Sequence, residues 1–325
     1  MVRLDELGER ELVAMIGRLL RPSPGIGPGD DAAAIDLGDD WLVVSSDLLS
    51  FTSHRPAGTP WERVGWMAAA VNFSDIASMG AEPLGFISSL SLPPDMEERN
   101  LLAMVSGMDQ CAEFCGTHVV GGDTKAGHGL VAGTALGIVS KGEILTRSGA
   151  KAGDLVAVTG PLGGPAAGWH ALSAGLDMPE AVDCLTLPVP KVQQGRLLAS
   201  TGAVNACMDI SDGLSSTVHG ICAASGVGME IVWGALPVWD GAEEVAERTG
   251  ASLEDMVLHY GGEYELLFTF PMRMLETLQS LDVVFSVIGR VVPDEEAVLI
   301  KGTEMEYLED RGYEHFRPLD HWSED

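Results

Sequence analysis

Apolar and polar positions recur with two different periods along this chain. In Trp61–Pro83, WERVGWMAAAVNFSDIASMGAEP, the residues Val64, Ala68, Val71 and Asp75 fall three or four apart, on one stripe of a helix. Three of them are apolar and the fourth is a carboxylate, with Asn72 one turn before it on the same side. Gly80 stops the helix and Pro83 cannot extend it. Residues 8–20 place apolar side chains at Leu12, Val13, Ile16, Leu19 and Leu20, and predict a second helix. Runs of β-forming residues predict strands over 41–46, 84–92, 118–120 and 130–140, with a helix over 97–115.

The pattern restarts in the second half. Strands are predicted at 155–159, 206–210, 229–232, around 283–291 and at 297–300. Helices are predicted up to about residue 174, around 193–198, from the Ser211-Asp212-Gly213 turn to Ala224, and over 241–249 and 271–280. Residues 259–270 read as a turn feeding a strand. Strands and helices mixed through both halves predict an α+β (mixed α/β) chain of two domains with a cleft between them. The least periodic stretch, TRSGAKAGD at 146–154, divides an N-terminal unit, 1–148, from a C-terminal unit, 149–325. At 325 residues the chain is long enough for two cores.

Composition narrows the function. The net charge of −29 argues against nucleic acid, whose phosphates need basic patches. It suits a protein that recruits phosphates through bound divalent cations, and equally one adapted to a high-salt cytoplasm. No run approaches the roughly 18–20 apolar residues of a membrane span. The N-terminus, MVRLDELGERELVAMI, lacks the order of a signal peptide, so a cytoplasmic protein away from membranes is expected. The five cysteines, Cys111, Cys115, Cys184, Cys207 and Cys222, form neither a disulfide framework nor a zinc set, and read as buried thiols.

The candidate chemistry lies in aspartates. Asp30-Asp31, Asp47, Asp75, Asp123, and Asp209 with Asp212 each end an apolar segment or stand beside glycine. Such positions put a carboxylate on a rigid element, and several converging on one cleft would hold magnesium, which takes oxygen ligands and bridges to phosphates. Each aspartate also reads as an ordinary cap or turn residue. The chain has no G-x-x-x-x-G-K-[ST], no G-x-G-x-x-G between strand and helix, and no G-x-S-x-G. A nucleotide would therefore be held by metal ions and backbone amides, with Gly121-Gly122 and Gly160–Gly164 as candidates.

Eight stretches in this order resemble the thiamine-monophosphate kinases, within the aminoimidazole ribonucleotide synthetase superfamily. They are GDDAA (29–33), SSDLL (45–49), AVNFSDIASMGAEP (70–83), GGDT (121–124), TRSGAKAGD (146–154), DISDGL (209–214), YGGEYEL (260–266) and GYEHF (312–316). The resemblance implies transfer of the ATP γ-phosphoryl group onto thiamine monophosphate. It implies a homodimer whose N-terminal strands pack across a two-fold axis, and several magnesium ions. The implied metal set is Asp31, Ser46, Asp47, Asp75, Asp123 and Asp209, with Asp30, Ser45 and Asp212 close by. Gly122, Asp123, Arg147 and Ser211 would contact ATP; His54, Glu263 and Tyr313 would hold the acceptor. No side chain is implied as general base, because a phosphate oxygen is already anionic near neutral pH. Two stretches depart from the family's usual pattern. GGEYEL stands for G-G-E-D-Y-E-L, and SFTSH at 50–54 for E-G-x-H-F, with Arg55 in place of the aromatic. A related enzyme with another phosphorylated acceptor, or a non-catalytic acidic metal-binding dimer, remain the alternative readings.

Overall fold

The computed structural model describes residues 4–22 and 24–315. Phe316, the last residue of the GYEHF stretch, lies outside them. Helix α1 (Glu9–Leu19) leads into a first sheet built from β1 (Ala33–Asp36), β2 (Asp40–Ser50), β3 (Glu82–Leu92), β4 (Val119–Ala126) and β5 (Leu130–Ser140). Its order is β1-β2-β5-β3-β4; only β3 and β4 run parallel. Helices α2 (Trp61–Ser78) and α3 (Glu98–Phe114) supply its connections.

The second sheet comprises β6 (Asp154–Val158), β7 (Ala206–Asp209), β8 (Gly228–Val232), β9 (Leu266–Pro271), β10 (Ser286–Val292), β11 (Ala297–Lys301) and β12 (Glu304–Tyr307). It is ordered β12-β11-β8-β10-β6-β9-β7. Between its strands come α4 (Gly164–Ser173), α5 (Pro179–Thr186), α6 (Val192–Ser200), α7 (Leu214–Ser225), α8 (Ala242–Thr249), α9 (Leu253–Leu258) and α10 (Leu275–Gln279). The sequence pattern missed β1, α5, α9 and β12, all eight residues or shorter, where a period has too few turns to register.

Helix α2 organises both halves. The spacing predicts one apolar stripe, but the helix is buried nearly all round: Val64, Ala68, Ala69, Ala70, Phe73, Ile76 and Ala77 are all 2% exposed or less. Its residues share one core with Phe86 and Val131 of the first sheet and with Cys207, Leu266, Phe268 and Phe270 of the second. A helix apolar all round belongs inside, which is why its amphipathic signal is weak. Val71 and Asp75 are the half-buried positions on its cleft side.

Alanine and glycine let neighbours reach its backbone. A Cβ on Gly65 would lie 1.8 Å from the Met104 carbonyl of α3, and one on Gly107 of α3 would lie 1.8 Å from the Glu62 carbonyl. Gly65→Ala must therefore force the two helices apart. It is expected to lower unfolding stability by about 1–3 kcal/mol, read as a fall in the denaturant midpoint. An unchanged midpoint would show that the crossing relaxes without cost.

All five cysteines are free thiols; Cys111, Cys115, Cys207 and Cys222 are buried and Cys184 is half-buried. Among the described residues no helix is long and apolar enough to cross a membrane.

Candidate active site

Three polar residues on one turn of α2 reach outward to both halves. Ser74 Oγ donates to Asp209 Oδ2 at 2.6 Å, at the end of β7. Ser45 Oγ of β2 donates to Asp75 Oδ2. Asn72 Oδ1 accepts the Asp47 amide of β2 at 3.0 Å, while its Nδ2 is fixed on the Ala68 carbonyl at 2.9 Å. Strand alternation puts Ser45 and Asp47 on the same face of β2. Ser46 turns to the other face and bonds the Gly133 carbonyl at 2.9 Å.

A fourth carboxylate arrives from the loop before β1. Asp31, with its side chain fully buried, meets Arg147 Nε at 2.5 Å; Asp30 Oδ1 accepts the Arg147 amide at 3.1 Å. Asp31 Oδ2 is buried with no hydrogen-bond partner. An unmet buried carboxylate oxygen is costly, and a bound cation is the kind of partner that would satisfy it.

The electrostatics agree. Burial, then Asp209, Asp31 and Asp47, push the Asp75 carboxyl well above the usual range, against the Ser45 hydrogen bond. Burial and Asp31 raise Asp209 to about 8, against Ser74 and Arg147. Burial and Asp31 raise Asp30 to about 6. These carboxylates share one region of the cleft and oppose one another's ionisation, with Arg147 offsetting them. The donor set, all hard oxygen, fits magnesium. Among the described residues, no three Asp, Glu, His or Cys side chains are already closed on one point, so these carboxylates are not preset as a complete cage.

The turn that follows Asp209 holds one end of an aromatic wall. Tyr313 donates its amide to the Asp212 carbonyl at 3.0 Å, which ties the tail to the Ser211-Asp212-Gly213 turn. Its ring stands edge-on to His315, with centroids 5.0 Å apart, and His315 stands edge-on to His54 at 5.4 Å. His54 Nδ1 accepts the Ser50 amide at 3.0 Å, so its neutral form carries the proton on Nε2. Burial and His315 lower the His54 pKa, with Asp47 opposing. Arg55, at the family's aromatic position, is turned away: its guanidinium lies 4.1 Å from the Trp61 ring centroid and bonds the Thr59 carbonyl.

The shortened GGEYEL stretch keeps its two acids distinct. Glu265 is committed, accepting from Thr159 Oγ1 at 2.6 Å and pairing with Lys191 at 2.9 Å. Glu263 accepts the Gly163 amide at 3.2 Å, in the Gly160–Gly164 turn, and leaves Oε2 buried and unpartnered. Burial raises its pKa to about 7. Between them Tyr264 takes φ +51°, with its amide on the Ile210 carbonyl at 2.9 Å. Its hydroxyl pKa is pushed up by burial and then by Asp47, Asp209, Asp212 and Asp75.

Asp123 and Gly122 stand apart from these contacts. They lie inside the edge strand β4, where the sequence pattern placed a turn. Parallel pairing with β3 extends the strand through both glycines, and Gly122 backs onto the Ser88 carbonyl, leaving no room for a side chain. Asp123 is exposed, 3.5 Å from Lys125. Ser211 is held through its carbonyl, which accepts the Gly262 amide at 2.7 Å. Ser74, Tyr264 and His315 lie inside the quoted stretches but were not read as site residues. Ser74 sits one residue from Asp75, and a hydroxyl beside a buried carboxylate on a helix was the available signal.

Residues 29–139 match the N-terminal domain of AIR synthase related proteins and residues 151–302 match their C-terminal domain. The thiamine-monophosphate kinase of Methanospirillum hungatei is 37% identical over 97% of this chain and 100% of its own length. The chain belongs to the thiamine-monophosphate kinase family. Another member, from Pyrococcus abyssi, is 36% identical over 88% of this chain and 90% of its own. The solved structure of AaThiL complexed with AMPPCP and TMP superimposes with a TM-score of 0.86 at 28% identity, covering 97% of this chain and 99% of that one. As in other chains of the thiamine-monophosphate kinase family, two AIR synthase-like units make up the fold.

Proposed function

We infer that this protein transfers the terminal phosphoryl group of ATP to the phosphate of thiamine monophosphate, giving thiamine diphosphate and ADP. One observation carries the reading: carboxylates from three separate segments, Asp31, Asp75 and Asp209, act on one another in a single pocket with Arg147. Two polyanions can react there only if their charge is offset and their approach is aligned, which supplies most of the rate in phosphoryl transfer.

The residues that would hold divalent cations are Asp31, Asp47, Asp75, Asp123 and Asp209, with Asp30, Ser45, Ser46 and Asp212 around them. Bound there, magnesium supplies positive charge between donor and acceptor phosphates. Arg147 spends only Nε on Asp31, which leaves both Nη groups for a phosphate of ATP. Gly122, Asp123 and Ser211 complete the nucleotide side. His54 and Tyr313 flank the acceptor, and Glu263 stands beside the Gly163 amide at its edge. The acceptor oxygen needs no base.

The protein acts as a homodimer. The face of the first sheet turned away from α2 exposes Ile35, Leu48, Leu84 and Val120, each about half accessible, and a second copy would cover it.

Incubation with ATP, magnesium and thiamine monophosphate, followed by chromatography of the products, tests the function. Equimolar thiamine diphosphate and ADP are expected. ADP formed only with a different phosphorylated acceptor would reject this substrate, and failure to bind an ATP analogue with magnesium would favour a non-catalytic role.

A further inference from the structure

We propose that Glu9, on the N-terminal helix α1, completes the acceptor pocket and selects acceptors whose ring carries a positive charge. This deepens the function proposed above and rests on it. Helix α1 precedes the segment that matches the family's N-terminal domain, which begins at residue 29. Yet it is joined to the pocket: Glu9 Oε2 accepts the His315 amide at 3.1 Å, across 306 residues of sequence. The ring of that same His315 stands between His54 and Tyr313, and Tyr313 Oη lies 3.3 Å from His315 Nδ1.

The chemistry of this group is specific. Three rings standing edge-on to one another, with a carboxylate at their margin, form the kind of site that binds a ring cation, through ring faces and opposite charge together. Among the described residues no Lys or Arg pairs with Glu9, and Glu9 and Asp212 both act on the Tyr313 hydroxyl. Glu9 and Asp212 thus put negative charge on both sides of the aromatic wall. The thiazolium ring of thiamine is permanently cationic and complements that negative charge. Its phosphate would then point the other way, past the Ser211-Asp212-Gly213 turn to which Tyr313 is tethered, toward Asp209 and Arg147.

Glu9→Gln keeps an acceptor oxygen for the His315 amide and removes only the charge. Steady-state kinetics should show the KM for thiamine monophosphate raised about tenfold, equivalent to ~1.4 kcal/mol, with little change in the KM for ATP. Competition by an uncharged aryl-alkyl phosphate should be unaffected. Equal weakening of the charged and uncharged ligands, or an unmoved KM for thiamine monophosphate, would overturn the proposal. Calorimetric binding of free thiamine to wild type and Glu9→Gln separates this inference from the function it rests on. An equal affinity in both proteins defeats the role of Glu9 even where turnover is normal; a tenfold loss upholds it even if the phosphoryl acceptor proves to be another thiamine derivative.

Discussion

Asp75→Asn is expected to reduce turnover by a factor on the order of a thousand, or ~4 kcal/mol of transition-state stabilisation, while the fold stays intact. The residue sits where Ser45, Asp209, Asp31 and Asp47 all act on it, so losing its charge removes a central oxygen donor for any cation bound there. Stability should move the other way. The folded pKa of Asp75 lies above its unfolded value, so ionising it costs stability as pH rises from about 4 through the folded pKa. Asp209, raised to about 8, acts in the same sense. Metal-free wild type should therefore lose stability between about pH 4 and 8, and Asp75→Asn should lose less. Magnesium should raise the wild-type melting temperature and move that of the variant less. Kinetics and thermal melts with and without magnesium check both arms; near-normal turnover would remove Asp75 from the cation site.

Arg147→Ala is expected to destabilise the metal-free protein by about 3–5 kcal/mol, because it strands a buried charge partner. Its partner Asp31 has no accessible side-chain surface, and one of its oxygens already lacks a hydrogen bond. Adding magnesium should recover part of this loss by standing in for the missing positive charge. Arg147→Lys keeps the charge and loses the planar fork, so the KM for ATP should rise more than stability falls. Chemical denaturation with and without magnesium, beside ATP titrations, reads both. Equal losses in stability and ATP use for Arg147→Lys would reduce the residue to a structural strut.

The aspartate positions were legible because each follows an apolar run or adjoins glycine, as at Asp47, Asp75 and Asp209. Their mutual approach was not, since it depends on packing between segments as distant as Asp31 and Arg147. Helix α2 was read as one-sided because its alanines score weakly; only the second sheet lying against it reveals two-sided burial. Strand β4 was cut short at Gly121, where glycine lowered the strand signal although parallel pairing with β3 sustains it. His315 lay within the GYEHF stretch, but its bond to Glu9 gave no signal, for a link between the two ends of a chain leaves no local pattern.

The shared core around α2 sets the order in which the molecule can be made. The interior of the first half is completed by Leu266, Phe268 and Phe270, which come late in synthesis. A nascent chain thus emerges with its alanine-rich helix only partly covered until those side chains are made. Because Ser74 and Asp209 meet across that same junction, folding competence and the catalytic cleft appear together.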